Sequence, residues 1–167
     1  ENVLIDFNND IVSSLEKIGT KAVSIHSKKN NVIEVLRDAP ELGFVGTPNK
    51  INNEIILNII KDDKIPIISP LGLQGNQAFN INGDVAAGKI AQSLKCRRLL
   101  LMTNVEGVLD KNKNLIEEIS SSEILEMVKN ETITGGMIPK INMGLESINN
   151  GVTAVGLIDT RPKHSIL

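Results

Sequence analysis

Four short aliphatic runs mark the chain: residues 21–25 (KAVSI), 65–69 (IPIIS), 98–103 (RLLLMT) and 153–158 (TAVGLI). Each is continuous rather than alternating, the pattern of a strand buried on both faces of a parallel sheet. Stretches with helical spacing lie between them. In residues 9–19 (NDIVSSLEKIG), Ile11, Val12, Leu15 and Ile18 share one face and Gly19 ends the pattern. Residues 52–63 (NNEIILNIIKDD) repeat the arrangement ahead of the second run, and further helices are expected over about 84–95, 123–129 and 140–149. This alternation predicts the α/β class, with crossover helices bringing the four runs side by side in one parallel sheet. Residues 108–118 (VLDKNKNLIEE), two apolar pairs around a Lys/Asn-rich turn, predict an inserted β-hairpin.

Composition agrees with this picture and removes some function classes. The 167 residues suit a single core or one and a part, and the 2% aromatic content with abundant Ile, Leu, Val and Ala suits a sheet covered by helices. Eighteen Lys plus Arg against 20 Asp plus Glu leave a formal charge of -2, so no bulk attraction to nucleic acid or an anionic membrane is expected and any anion site must be local. The one cysteine, Cys96, cannot form an internal disulfide; its apolar-flanked position predicts a buried thiol and a reduced, cytoplasmic compartment. No apolar stretch approaches the roughly 18 residues of a membrane span, and the first residues, ENVLIDFNND, do not read as a targeting segment. The sequence starts without methionine and stops at KHSIL in mid-pattern, which predicts a portion of a longer polypeptide.

Three polar constellations stand at the ends of the apolar runs. In NINGD (residues 80–84), alternation puts Asn80, Asn82 and Asp84 on one side. Asp84 fits the N-cap of the following helix, yet a cap accounts for one residue only. Side-chain amides at the mouth of a parallel sheet also suit a carboxylate or amide ligand. In TITGGMIPKI (132–141), Gly135 and Gly136 allow close backbone approach, Pro139 suits a helix start, and Lys140 falls in the first turn, where the helix dipole disfavours a cation. The spacing fits a solvated lysine and equally a cation that holds phosphoryl oxygens. In LLLMTNVEGVLD (99–110), the strand runs out into Thr103, Asn104 and a turn at Gly107, which fits either a strand cap or contacts to ribose or adenine. Neither GxxxxGK[ST] nor GxGxxG occurs. His26 and His164 form no metal motif, and His26 in the polar turn HSKKNN reads as a solvated loop histidine. Met127, Met137 and Met143 read as core filling.

Taken in order, FNINGDVAAGKIA, LLLMTNVEGVLDKNKNLI and ITGGMIPKI, with ELGFVG at 41–46 and IPIISPLGLQGNQAFNI at 65–81, resemble the N-acetylglutamate kinases of the amino acid kinase family. The resemblance runs from about Val3 to Leu167. It implies a three-layer α/β/α sandwich with a mainly parallel central sheet, about 1–84 being the remainder of an amino-acid-binding half and about 85–167 a nucleotide-binding half. It implies transfer of the γ-phosphoryl group of ATP, with Mg2+ carried by the nucleotide, to the side-chain carboxylate of N-acetyl-L-glutamate in arginine biosynthesis. A homodimer or larger homo-oligomer is implied as well. By motif, Asn80 would bind the acylated amino acid, Asp84 would orient the catalytic lysines, and Lys140 would stabilise charge on the transferring group. The nucleotide would lie on Asn104, Val105, Glu106, Gly107, Val108 and Leu109 and on Thr132, Ile133 and Thr134; no protein metal site is implied.

Departures from the family pattern are specific. The family's Lys-x-Gly-Gly loop, second Gly-Gly turn and substrate-gripping arginine have no counterpart in these residues, so the chain reads as the family sequence without its N-terminal third and last strand. Gly83 replaces the usual alanine, Asn104 stands where aspartate is common, and SIHSKKNN lacks the family's glycines. Two other readings follow from these gaps: a kinase of a related acyl amino acid of the aminoadipate type, or a non-catalytic nucleotide-binding regulatory module if the natural chain begins at Glu1.

Overall fold

The computed structural model describes residues 1–166. They form two compact units, Glu1–Ser93 and Leu94–Leu167. Both mix helices with parallel strand pairs, as expected of the α/β class.

The first unit contains α1 (Asn2–Lys17), β1 (Ala22–Ile25), β2 (Ile33–Arg37), a 3-10 turn (Pro40–Leu42), β3 (Gly46–Ile51), α2 (Asn53–Lys61), β4 (Ile65–Ile68), β5 (Leu71–Gln74), β6 (Gln77–Asn80) and α3 (Gly83–Leu94). β1 and β4 pair in parallel, Ala22 opposite Ile65 through Ile25 opposite Ile68. α1 packs against both strands and α2 against β4. α1 begins seven residues before the expected Asn9 because its buried face carries an asparagine. Asn8 is only 3% exposed; its Nδ2 donates to the Ile67 carbonyl at 2.8 Å, and its Oδ1 accepts from Ser24 Oγ at 2.6 Å. A polar residue on the sheet-facing side breaks the apolar period where the helix meets the strands.

A second sheet, in the order β3-β2-β5-β6, lies within the same unit and was not foreseen. β2 runs antiparallel to β3 and β5 antiparallel to β6, with one parallel pairing, Glu34 to Leu73, between β2 and β5. An isolated parallel bridge from Asn80 to Val45 returns the far edge to the entry of β3, so the four strands close into a small ring. Ile33, Val35, Leu71, Phe79 and Ile81, all buried, supply its apolar side chains. Gly72 is required there: a Cβ on it would lie 2.4 Å from Val35 Cγ1 and 2.9 Å from the Ile33 carbonyl oxygen.

The second unit contains β7 (Arg98–Thr103), α4 (Ser121–Lys129), α5 (Met137–Asn149) and β8 (Ala154–Asp159). β7 and β8 pair in parallel from Arg98 opposite Ala154 to Thr103 opposite Asp159. α5 packs on β8 and α4 on α5. A capping box starts α4: Ser120 Oγ accepts from the Glu123 N–H while Glu123 returns a bond to the Ser120 N–H. The four foreseen strands therefore exist, but as two separate two-stranded parallel ladders rather than one continuous sheet, because each pairs within its own unit. The expected hairpin at 108–118 shrinks to a single bridge, Leu109 to Leu115. Asp110 holds its turn instead, accepting from the N–H groups of Asn112 and Asn114 at 2.7 and 2.8 Å. Cys96 is half-buried rather than buried. Among the described residues no helix is long and apolar enough to cross a membrane.

Candidate functional site

Asn80 ends β6, its N–H bonded to the Phe44 carbonyl at 2.8 Å and its backbone held between Leu71 on one side and Val45 on the other. Phe44 and Phe79 pack with ring centroids 6.0 Å apart, so the ELGFVG turn braces this strand end. Alternation follows as expected: Asn80 and Asn82 are exposed while Ile81 between them is 6% exposed. The cap of α3 falls on a different residue from the one expected. Asn82 Oδ1 accepts from the N–H groups of Asp84 and Val85, at 3.0 and 3.2 Å, so Asn82 is the N-cap and Asp84 is the second helical residue. Capping accounts for Asn82 and leaves Asp84 to be explained by something else.

His26 follows β1 and is buried, 7% exposed, with Nδ1 accepting the Lys28 N–H at 3.2 Å. The solvated-loop expectation fails here because the turn 26–29 closes on itself through reciprocal His26–Lys29 backbone bonds. Burial, then the charges of Lys29 and Lys28, push the imidazole pKa below its ordinary value against a smaller opposing pull from Glu1.

Lys140 and both expected nucleotide segments lie in the second unit. Asn104, Val105 and Glu106 leave β7 exposed, Gly107 turns at φ 137°, and Val108 dips into the core at 7% exposed. Thr132 is fixed after α4 by its N–H to the Met127 carbonyl at 2.9 Å and its Oγ1 to Asn130 Oδ1 at 2.6 Å. Ile133 is 5% exposed and Thr134 is exposed. Val108, Ile133, Ile141 and Ile124 form one hydrophobic cluster, so the same core joins the 104–109 segment, the 132–134 segment and the start of α5. The side chains of Val108 and Ile133 are spent on that core, which leaves only their backbone groups available for any ligand contact. Met127 and Met137 pack against the cluster and Met143 is buried, as their reading as core predicts.

α5 starts at Met137, three residues before the expected start, with Gly136 at the cap position, no side-chain cap and no acidic residue in its first turn. Gly135 has φ 60° and open space around both glycines. Lys140, the fourth helical residue, reaches Nζ to 3.5 Å from the Met102 carbonyl, at the C-terminal end of β7. That end is where ligands gather on parallel sheets.

At the same end, sequence reasoning missed two residues. Asp159 closes β8, and Arg161 grips it with Nε at 2.9 Å from Oδ1 and a terminal nitrogen at 2.7 Å from Oδ2. Arg161 side-chain and backbone bonds hold the Asp159 carboxyl below its usual range. The hydrogen bonds and charge of Asp159, with a smaller attraction from Glu106, raise the guanidinium in turn. A D-x-R pair at the end of an apolar run was the available signal.

A model of the amino acid kinase family matches residues 2–159. An acetylglutamate kinase of Pelagibacter ubique is 52% identical over all of this chain, and 58% of that protein is covered. The chain thus spans a little over half the length of the curated relatives it matches. Among solved structures, a Streptococcus mutans protein superposes with a TM-score of 0.78 at 32% identity, covering 88% of this chain and 60% of that one. The N-acetylglutamate synthase of Neisseria gonorrhoeae, complexed with coenzyme A and N-acetyl-glutamate, gives a TM-score of 0.84 over 99% of this chain and 39% of its own. At 19% identity that likeness concerns the fold alone. With the family match running from the first helix to the last strand, the chain belongs to the amino acid kinase family.

Proposed function

We propose that the complete protein transfers the γ-phosphoryl group of ATP to the side-chain carboxylate of N-acetyl-L-glutamate, giving N-acetyl-L-glutamyl 5-phosphate and ADP, a step of arginine biosynthesis. One observation carries most of this reading. Lys140 sits in the first turn of a helix without a side-chain cap, just after an open Gly135–Gly136 turn, at the end of β7, with both nucleotide segments bound to the same core. A cation in that turn weakens the helix. The cost makes sense when the lysine meets phosphoryl oxygens, which the backbone N–H groups of the helix start also favour.

In this reading a carboxylate oxygen attacks the γ-phosphorus, and the bond from that phosphorus to the β,γ-bridging oxygen breaks as ADP leaves. The attacking carboxylate is already ionised at neutral pH, so no general base is needed, and the protein's work is positioning and charge stabilisation. Lys140 stabilises the charge that develops on the transferring group. Asp84 orients lysines rather than accepting a proton, and Asn80 binds the acylated amino acid. Asn104 to Leu109 and Thr132 to Thr134 hold the nucleotide, the buried Val108 and Ile133 through their backbones. Mg2+ would arrive with the nucleotide rather than on a protein cage and would supply charge neutralisation on the phosphate oxygens. Homodimer or larger assembly and a cytoplasmic setting, where ATP is supplied, complete the reading.

The test is direct. The complete protein with N-acetyl-L-glutamate, ATP and Mg2+ is assayed for ADP release and for acyl phosphate trapped by hydroxylamine. Trapped product that depends on the acylated amino acid supports the reading, and ADP release indifferent to it removes the assignment. Running N-acetyl-L-aminoadipate in parallel separates the related substrate.

A further inference from the structure

Thr160 connects the exits of the two strands in the second unit. Its N–H and its Oγ1 both donate to the Thr103 carbonyl, at 2.9 and 3.0 Å. Asp159 and Thr103 are already the last register pair of β8 and β7, so Asp159–Arg161 and Asn104–Glu106 leave the sheet side by side. From α5, Lys140 reaches the same edge. Two cations from different elements therefore stand over one C-terminal strand edge, the place where an open α/β sheet takes its ligand.

The Asp159–Arg161 pair has more structure than a surface ion pair. The Asp159 carboxylate accepts three donors from one residue: the Arg161 N–H at 3.0 Å, Nε at 2.9 Å and a terminal nitrogen at 2.7 Å. Its side chain is 15% exposed while that of Arg161 is 56% exposed. One edge of the guanidinium is thus locked to a sheltered carboxylate, and the second terminal nitrogen has no hydrogen-bond partner among the described residues. An isolated exposed pair contributes little to stability, but a fork fixed on one edge presents its remaining donors at low entropic cost. Planar donors of this kind match phosphate oxygens. Glu106, close enough to attract Arg161, lies in the segment assigned to the nucleotide.

We propose that Arg161 is a second nucleotide-contacting cation of this unit, donating to the phosphate oxygens of the bound nucleotide, with Asp159 as the positioning residue that aims it. The inference rests on the nucleotide reading given above and adds a residue to it. Asp159 touches no substrate in this scheme and acts only through Arg161.

The test uses the complete protein and calorimetric titration with ADP, AMP and adenosine. Arg161→Ala is expected to weaken ADP by about 10- to 50-fold, the loss of one charge-assisted contact, with adenosine unchanged and AMP between them. Arg161→Lys keeps the charge and loses the fork, so an intermediate loss for ADP is expected. Asp159→Asn, which removes the anchor and leaves the cation, should weaken ADP by about three- to tenfold and leave the KM for the acylated amino acid unchanged. ADP affinity within twofold of the parent in a well-folded Arg161→Ala or Arg161→Lys variant overturns the proposal while the nucleotide reading stands. An equal loss for adenosine overturns the phosphate assignment. A parent protein that binds none of the three sinks the nucleotide reading, and this inference with it.

Discussion

Replacing Gly72 by alanine tests how tightly the strand ring controls the Asn80 end of the first unit. The new Cβ would stand 2.4 Å from Val35 Cγ1, 2.9 Å from the Ile33 carbonyl oxygen and 3.1 Å from Ile81 Cδ1. Carbon atoms in ordinary contact are about 3.5–4.0 Å apart, so β5 and β2 must separate by about an ångström or Val35 must leave its position. Two effects oppose each other. Loss of unfolded-state freedom on Gly→Ala favours the variant by about 0.4–1 kcal/mol, while overpacking costs about 1–3 kcal/mol. The clash wins because one of the obstructing atoms is backbone and cannot rotate away, and a net destabilisation of about 1–2 kcal/mol is expected. The displacement has a functional consequence: Leu71 pairs with Asn80 and Gly72 with Phe79, so moving β5 moves the end of β6. In the complete protein the KM for N-acetyl-L-glutamate should rise several-fold, on the order of tenfold at most, with nucleotide affinity unchanged. Adding Val35→Ala removes the shortest contact but leaves the Ile33 oxygen, so the double variant should show a favourable coupling of about 1 kcal/mol. Urea unfolding gives the stabilities and steady-state kinetics the KM. A Gly72→Ala protein as stable as its parent, with unchanged kinetics, would show that the ring yields and that its packing does not set the site.

Three further outcomes are expected. Lys140→Ala in the complete protein should lower kcat by about 10²–10³-fold with little change in the KM for ATP; retention of most turnover, with a slightly more stable helix, would mark it as a solvated lysine. Asn8→Ala removes two hydrogen bonds of ordinary length, about 1 kcal/mol each, against a helix-propensity gain of about 0.6 kcal/mol. A net loss of about 1–2 kcal/mol in urea unfolding follows, and a neutral result would mean Ser24 re-pairs fully with Asn9, whose Oδ1 lies at 2.9 Å. The Glu123 pKa is depressed below 4.5 by hydrogen bonds from the Ser120 hydroxyl and then its N–H. A depressed folded pKa gives stability that is present above the unfolded value and lost as pH falls through the folded one. Thermal melts of parent and Glu123→Gln should therefore differ at neutral pH and converge in strong acid; a constant gap would mean that the charge plays no part.

Sequence alone determined the features whose signal is local. The four aliphatic strands were legible because a continuous aliphatic run has few alternatives, although they are not buried on both faces as expected, β7 alternating buried with exposed residues and β4 and β8 being at most half-buried. α2, α3 and α4 were legible because their apolar spacing and polar starts agree. The Asn80–Asp84, Asn104–Leu109 and Thr132–Lys140 segments were legible as polar groups at strand and helix ends, and their family resemblance named them. What only the tertiary structure decided depends on partners distant in sequence. The ring of β2, β3, β5 and β6 went unseen although Ile33–Val35 alternates with Glu34 and the Gly75–Asn76 turn is a hairpin signal, since its closure rests on one bridge from Asn80 to Val45. Asn8 lies just outside the helix expected from residue 9, and only its bonds to Ser24 and Ile67 make it the joint between α1 and two strands. Asn82 rather than Asp84 caps α3, a choice set by backbone direction at the end of β6. Arg161 offers only a short D-x-R signal in the sequence; it becomes a candidate once parallel pairing lays its loop beside Asn104 and the fork on Asp159 fixes where its remaining donors point.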